Sequence, residues 1–146
     1  MLEEELNEIA EKLSDLIPLY RRKLMRPCKI KMKNNTSPLQ LFVMLIMSEK
    51  EMSNLTELSD EVNMSKQQMT PIINKLQANG FVQREQDQLD RRSVNLWLTS
   101  VGVDFLKDSY NDMNRSMKLR IAGLDKNDLY TLKDALENLF RIIHKI

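Results

Sequence analysis

The sequence predicts a mainly α-helical fold that contains one small β-hairpin. Apolar residues recur at helical spacing along most of the chain, and helix-capping patterns precede several of these segments. Strict alternation of apolar and polar residues is confined to one stretch. With 146 residues, 42% of them hydrophobic and 29% charged, the chain has room for one globular domain with an attached dimerisation element.

Long amphipathic helices are predicted at both ends of the chain. The N-terminal apolar stripe comprises Leu2, Leu6, Ile9, Leu13, Leu16, Ile17, Tyr20 and Leu24. Pro18 should kink this helix. The last helix follows Asp125 and carries an inner face of Leu129, Leu132, Leu136, Leu139, Ile143 and Ile146. A compact core covers only part of such stripes, so we expect a twofold homodimer built from both ends; a monomeric helical bundle is the alternative.

The first capped helix of the central region begins at residues 37–40. Ser37 can cap it, Pro38 suits its first position, and Gln40 completes a capping box. The run 41–47 is apolar on all sides, so we expect this helix to be central and buried.

Two further capped helices follow closely. Asn54 opens a short helix, and Asn63 stands where a tight turn needs a residue that tolerates the left-handed conformation. A second capping box, residues 65–68, opens the next helix, and Gly80 suits its left-handed end. Two short helices joined by such a turn form a helix-turn-helix.

A β-hairpin with a basic tip follows this motif directly. Apolar and polar residues alternate from 93 to 98, and residues 81–85 are the expected partner strand. Arg91 and Arg92 lie near the tip, where guanidinium groups can reach into a nucleic-acid groove. The order of the elements therefore predicts a winged helix-turn-helix with a two-stranded β-wing and terminal dimerisation helices.

Over nearly its whole length the chain resembles the MarR family of bacterial transcription regulators. The most specific part is Asp90-x-Arg92-x5-Leu98-Thr99, a D-x-R followed by L-T at the family's spacing. The resemblance implies three regions. Residues 1–36 would form a dimerisation helix and basic linker, residues 37–99 the DNA-binding domain, and residues 100–146 the C-terminal dimerisation helices.

The resemblance also implies that the helix after Ser65 enters the major groove of a near-palindromic double-stranded operator. The candidate DNA-binding residues of this helix are Ser65, Lys66, Gln67, Gln68, Thr70, Asn74 and Lys75. Gln67 and Gln68 each carry a donor and an acceptor, as a bidentate contact to adenine requires. The alternative for either glutamine is a position on the helix surface with no base contact.

The hairpin tip is expected to reach the adjacent minor groove. The candidate wing residues are Arg84, Asp87, Gln88, Asp90, Arg91 and Arg92. An arginine in a narrow minor groove responds to DNA shape more than to sequence. We expect Asp90 to pair with one of the arginines 84, 91 or 92 and so to fix the ribbon. A purely structural ion pair is the alternative for Arg92.

The net charge of +1 counts mildly against a nucleic-acid binder, but its distribution is uneven. No acidic residue lies between Asp15 and Glu49, a region that contains Arg21, Arg22, Lys23, Arg26, Lys29, Lys31 and Lys33. This run is either a solvated helix end and loop or a surface for anions. The resemblance implies a small aromatic or anionic effector near the dimerisation helices, with Arg21, Arg22 and Arg26 as candidate contacts.

The resemblance implies a repressor that a small effector releases from DNA, and a single cysteine fits a reducing cytoplasm. No catalytic cluster, phosphate-binding loop, metal-ligand spacing or membrane-length apolar run occurs, so we expect no enzyme, cofactor, metal or membrane partner. Cys28 is the only cysteine, which excludes an intramolecular disulfide. Two alternatives remain. The first is a cysteine-based redox regulator, since basic residues near Cys28 favour the reactive thiolate and Thr70-Pro71 is compatible with the organic-hydroperoxide regulators of the family. The second is a winged-helix protein-interaction module without DNA binding.

Overall fold

The computed structural model describes residues 2–24 and 35–146. Its helices are α1 (Leu2–Lys23), α2 (Pro38–Ser48), α3 (Leu55–Glu61), α4 (Lys66–Ala78), α5 (Ser100–Ile121) and α6 (Lys126–Ile143). Its strands are β1 (Ser53–Asn54), β2 (Val82–Gln86) and β3 (Val94–Leu98). The chain divides into two compact units, one of residues 29–112 and one of residues 1–28 with 113–146. The predicted fold class, mainly helical with a winged helix-turn-helix, is confirmed.

The sheet of the first unit has three strands, whereas the sequence predicted two. All pairs are antiparallel in the order β1-β3-β2, and β3 lies in the middle because Ser53 pairs with Leu96 on one side while Arg84 pairs with Leu96 on the other. The short strand β1 was missed because two polar residues give no alternating pattern. It anchors the base of the wing between α2 and α3.

The core of this unit lies where α2, α3 and α4 meet the inner face of the sheet. Its buried apolar residues are Val43, Met44, Ile46, Met47, Leu58, Met69, Ile73, Leu76, Phe81, Val82 and Leu96. The expectation that α2 is buried on all sides is wrong. Leu39, Phe42 and Leu45 share a face that is 41 to 48% exposed, because α2 packs on its neighbours through the opposite face only.

The predicted caps and left-handed residues are confirmed. Capping boxes join Ser37 to Gln40 and Ser65 to Gln68. Asn63 has a φ of 54°, in the turn between α3 and α4, and Gly80 has a φ of 75° after the end of α4. These two residues set the directions in which the chain leaves the two helices of the helix-turn-helix.

The second unit contains α1, the end of α5, and α6. Helix α1 is unbroken at Pro18, and neither α1 nor α6 contains a buried residue. Arg120 donates a hydrogen bond from Nη1 to the backbone oxygen of Lys23 at 3.3 Å, which ties α5 to the end of α1. Of the expected inner face of α6, Leu129, Leu132 and Leu139 are half-buried, and Leu136, Ile143 and Ile146 are exposed. None of the helices described is long and apolar enough to cross a membrane.

Candidate nucleic-acid interface

Helix α4 begins with a closed capping box that determines what its first turn can offer a ligand. Ser65 Oγ accepts from the backbone N–H of Gln68 at 3.2 Å, and Gln68 Oε1 accepts from the backbone N–H and the hydroxyl of Ser65 at 3.0 and 3.2 Å. The expectation that Gln68 presents both a donor and an acceptor to DNA therefore does not hold in the free chain. Gln67 is exposed, and its amide makes no hydrogen bond within the described residues.

The third turn of α4 is joined to the wing by one side-chain contact. Arg84 of β2 donates from Nη1 to Oδ1 of Asn74 at 3.0 Å, and both residues are exposed. Thr70 Oγ1 donates to the backbone oxygen of Lys66 at 2.7 Å, so its hydroxyl hydrogen is directed along the helix. Lys66 and Lys75 are exposed and form no ion pair within the described residues.

The wing loop is organised by the carboxylate of Asp87. Asp87 Oδ1 accepts from the backbone N–H groups of Leu89 and Asp90 at 2.8 and 2.9 Å, and Oδ2 accepts from Asn95 Nδ2 at 3.0 Å. These donors hold the pKa of Asp87 below its ordinary value, the Asp90 N–H contributing most. Asp87 was a candidate DNA contact in the sequence, but its contacts are those of a loop-ordering residue.

Asp90 also bonds to the backbone, and the expected ion pair with an arginine is wrong. Asp90 Oδ1 accepts from the backbone N–H of Arg92 at 2.9 Å, and its carbonyl accepts from Ser93 at 2.8 Å. Of the three arginines expected as possible partners, Arg84 donates its hydrogen bond to Asn74 instead. An Asp side chain satisfies a backbone N–H two residues ahead more easily than it holds an exposed arginine, because the local bond costs less side-chain entropy.

The ordered loop leaves its cationic side chains without partners. Arg91 and Arg92 are exposed, and their guanidinium groups form no hydrogen bond or ion pair within the described residues. Gln88 is exposed beside them, and Leu89 at the loop tip is 100% exposed. The wing therefore presents two arginine side chains without a direct partner among the described residues, on a backbone that the carboxylates of Asp87 and Asp90 hold in place.

The structure thus brings α4 and the wing together through the contact between Arg84 and Asn74. Sequence reasoning missed the Arg84–Asn74 contact and the organising role of Asp87, since pairing between distant positions has no sequence pattern. Arg21 and Arg22 are exposed in the last turn of α1, while Arg26 and Cys28 lie outside the described residues. Among the residues described, no group of three or more His, Cys, Asp or Glu side chains could hold a metal.

Comparison with known proteins agrees with this geometry. Residues 36–94, which include α2 to the start of β3, match the MarR family. This segment of the chain is therefore similar to the MarR family. It is 29% identical over 115 residues to the organic hydroperoxide resistance transcriptional regulator of Bacillus subtilis, covering 77% of this chain and 74% of that protein. The family and the relative that the chain matches are transcription regulators, not enzymes.

Solved structures confirm the fold class. The YusO protein of Bacillus subtilis has a TM-score of 0.71 at 16% identity, with 97% of this chain and 98% of that chain covered. Wild-type MarR of E. coli in its apo form has a TM-score of 0.64 at 17% identity, with 95% and 96% covered. These similarities establish a MarR-type fold.

Proposed function

We propose that this chain is a homodimeric, MarR-type repressor of a near-palindromic operator and that a small effector relieves the repression. Each copy would place α4 in a major groove and its wing in the adjacent minor groove. Residues 37–99 would provide the DNA contacts, and residues 1–36 and 100–146 would pair the two copies. Half-site centres would then be about one helical turn, roughly 34 to 36 Å, apart.

The observation that carries the DNA-binding geometry is the pair of unpartnered arginines on an ordered wing. Arg91 and Arg92 need no internal bond to be broken before they contact DNA, and the loop beneath them is already fixed by Asp87 and Asp90. Binding therefore costs little ordering entropy at the tip. Lys66 and Lys75 add two exposed cations on α4 for the phosphates on either side of the major groove.

The dimer is supported by the apolar faces of the second unit. The large apolar residues of α1 are each at least 42% exposed: Leu2, Leu6, Ile9, Leu13, Leu16, Ile17, Leu19 and Tyr20. On α6, Phe140 is 62% and Ile143 51% exposed, and Ile146 beyond its end is 100% exposed. Monomeric proteins rarely leave apolar stripes of this extent in water, and a second copy supplies the same surface under twofold symmetry.

The effector is proposed to be a small aromatic or anionic molecule. Arg21 and Arg22 support an anionic ligand because both are exposed at the end of α1 with no acid in the last turn of that helix. Such a molecule would shift operator affinity only by binding more tightly to one arrangement of the dimer than to the other. Titration with phenolic carboxylates tests this part, and the absence of saturable binding would remove it.

The wing assignment is tested by a gel shift on the intergenic DNA upstream of the gene, with the salt concentration varied. Replacing Arg91 and Arg92 with alanine should weaken binding and reduce the slope of log K against log salt by about 1 for each lost phosphate contact. Replacing Lys50 and Lys107 with alanine removes the same charge elsewhere and should leave the slope unchanged. Unchanged binding by the double arginine variant would show that the wing does not contact DNA.

A redox-sensing regulator is the second candidate, favoured by the similarity to a regulator of organic hydroperoxide resistance. The side chain available for it is the thiol of Cys28. Cumene hydroperoxide would oxidise this thiol to a sulfenic acid and would itself be reduced to the alcohol. If the sensor is Cys28, peroxide should release the wild-type protein from its operator and leave the Cys28→Ser variant bound; equal release of both excludes it.

A further inference from the structure

The hydrogen bond between Arg84 and Asn74 bears on which bases the regulator can recognise. We propose that Arg84 biases Asn74 toward donating contacts, so that each half-site carries guanine or thymine in preference to adenine at the base that Asn74 faces. This inference rests on the proposed function, in which α4 lies in the major groove. Arg84 is then a positioning residue that sets specificity from the wing.

The orientation of the Asn74 amide follows from chemistry. An arginine side chain has five N–H donors and no acceptor, so the atom of Asn74 at 3.0 Å from Arg84 Nη1 has to be the oxygen. The Nδ2 group, with its two hydrogens, is what remains for another partner. The backbone of Arg84 is held in position by its pairing with the buried Leu96 of the middle strand, so the starting point of its side chain is set by the sheet.

Asn74 lies on the outward face of α4. Residues seven apart fall on the same side of a helix, two turns from each other, so Asn74 shares a face with Gln67. The buried residues of α4, Met69, Ile73 and Leu76, define the opposite side. A groove that accepts this face receives the amide of Gln67 at one end and the Arg84–Asn74 pair at the other.

Base chemistry decides what the Arg84–Asn74 pair can recognise. In the major groove adenine presents an acceptor and a donor, guanine presents two acceptors, and thymine presents one acceptor beside its methyl group. A bidentate contact to adenine needs both the oxygen and the nitrogen of an amide, and an adenine amino group would have to share the oxygen of Asn74 with the guanidinium of Arg84. The free donors of Asn74 and of Arg84 itself fit guanine best and thymine next, and they disfavour the exocyclic amino group of cytosine.

The same reasoning separates the two neighbouring glutamines. A backbone N–H can only donate, so the contact with Ser65 fixes Gln68 Oε1 toward the cap and leaves its Nε2 donors outward. Gln67 alone of the three assigned amides keeps both ends available. We therefore expect adenine as the base that faces Gln67. We expect a base that presents acceptors, guanine or thymine, as the one that faces Asn74.

Selection of operator half-sites from a randomised DNA library tests the proposal on the full-length chain. Wild type should enrich guanine or thymine at one position, and Asn74→Ala should erase that preference. Arg84→Met frees the oxygen of Asn74, so adenine should rise at the same position by about tenfold or more relative to wild type. Arg91→Met is the matched control: it also removes one wing arginine, and it should weaken binding to all sequences with the base preferences unchanged.

The outcomes separate this inference from the function on which it rests. If Arg84→Met leaves the preference at that position as in wild type, or if Asn74→Ala changes no position, the inference is overturned while the regulator still selects a site. If wild type enriches no sequence at all, the proposed major-groove function fails and this inference with it. Thermal unfolding of each variant checks folding, and the exposure of Arg84 and Asn74 predicts melting temperatures close to wild type.

Discussion

Gly102, in the first turn of α5, lies directly against the backbone of Phe81. A Cβ atom placed on Gly102 would be 2.2 Å from the carbonyl oxygen of Phe81 and 3.0 Å from its carbonyl carbon. Two hydrogen bonds fix this approach, from Thr99 N to the oxygen of Phe81 at 2.9 Å and from Gly102 N to Thr99 Oγ1 at 3.0 Å. The start of α5 is thereby fastened to the residue that precedes β2.

Replacing Gly102 with alanine should therefore destabilise the winged unit. The obstructing atoms belong to the backbone and cannot rotate away, so we expect a loss of about 1–3 kcal/mol or more in the free energy of unfolding. Urea denaturation measures this loss. Gly123→Ala is the control, since nothing lies within 4 Å of its added Cβ, and it should fall within about 0.5 kcal/mol of wild type. Equal stability of the two variants would contradict the close approach.

Asn63 holds the turn between α3 and α4 at a φ of 54°. In this conformation the Cβ atom of a side chain crowds the backbone. Asparagine adopts it more readily than most residues, and glycine has no Cβ to crowd the backbone. Asn63→Ala should lose roughly 1 kcal/mol of stability, and Asn63→Gly should stay near wild type. The comparison uses midpoints of urea unfolding. A loss of similar size in both variants would assign the role of Asn63 to its side-chain amide instead of its backbone.

Asp87 should order the wing loop only while its carboxylate is ionised. Its pKa is lowered by hydrogen bonds from Asp90, Asn95 and Leu89. The stability that this carboxylate gives to the ordered loop is therefore complete above the ordinary pKa of aspartate, about 4, and is lost as the pH falls through the lower folded-state pKa. We expect amide hydrogen exchange at Leu89 and Asp90 to be unchanged from pH 7 to 5, after correction for intrinsic rates, and protection to disappear in stronger acid.

The variant Asp87→Ala should show the same loss of protection at neutral pH and bind operator DNA more weakly, because the tip arginines are no longer presented on a fixed loop. Asp104→Ala, which removes an exposed carboxylate from α5, is the control for charge and should retain the wild-type exchange pattern. Full protection of the Leu89 and Asp90 amides in Asp87→Ala would contradict the organising role of this carboxylate.

The proposed dimer gives a prediction with a closely matched control. Ile9 on α1 and Met52 before β1 are both 55% exposed, but Ile9 belongs to the apolar stripe of α1 and Met52 does not. A buried charge at a self-complementary interface is strongly unfavourable, so Ile9→Glu should sediment as a monomer at concentrations where wild type is dimeric. Met52→Glu should remain a dimer; a dimer of Ile9→Glu would exclude this face of α1 from the interface.

Local sequence signals predicted most of the fold because the relevant interactions span only a few residues. The capping boxes at Ser37 and Ser65, the left-handed Asn63 and Gly80, and the alternation that forms β3 were all predicted and are present. The motif Asp90-x-Arg92 indicated the family, which the match over residues 36–94 bears out. The third strand was missed because its two residues acquire strand structure only by pairing with β3.

The candidate site was predicted less completely, for a physical reason. The sequence by itself determined which elements exist, where they begin and which cations the wing carries, since caps, turns and periodicity act within one or two helical turns. The tertiary structure alone decided which polar groups remain free. It joins Arg84 to Asn74 across ten positions and uses Asp87, not an Asp90 ion pair with an arginine, to organise the wing. Such contacts depend on how strands and helices pack, and no local pattern encodes that packing.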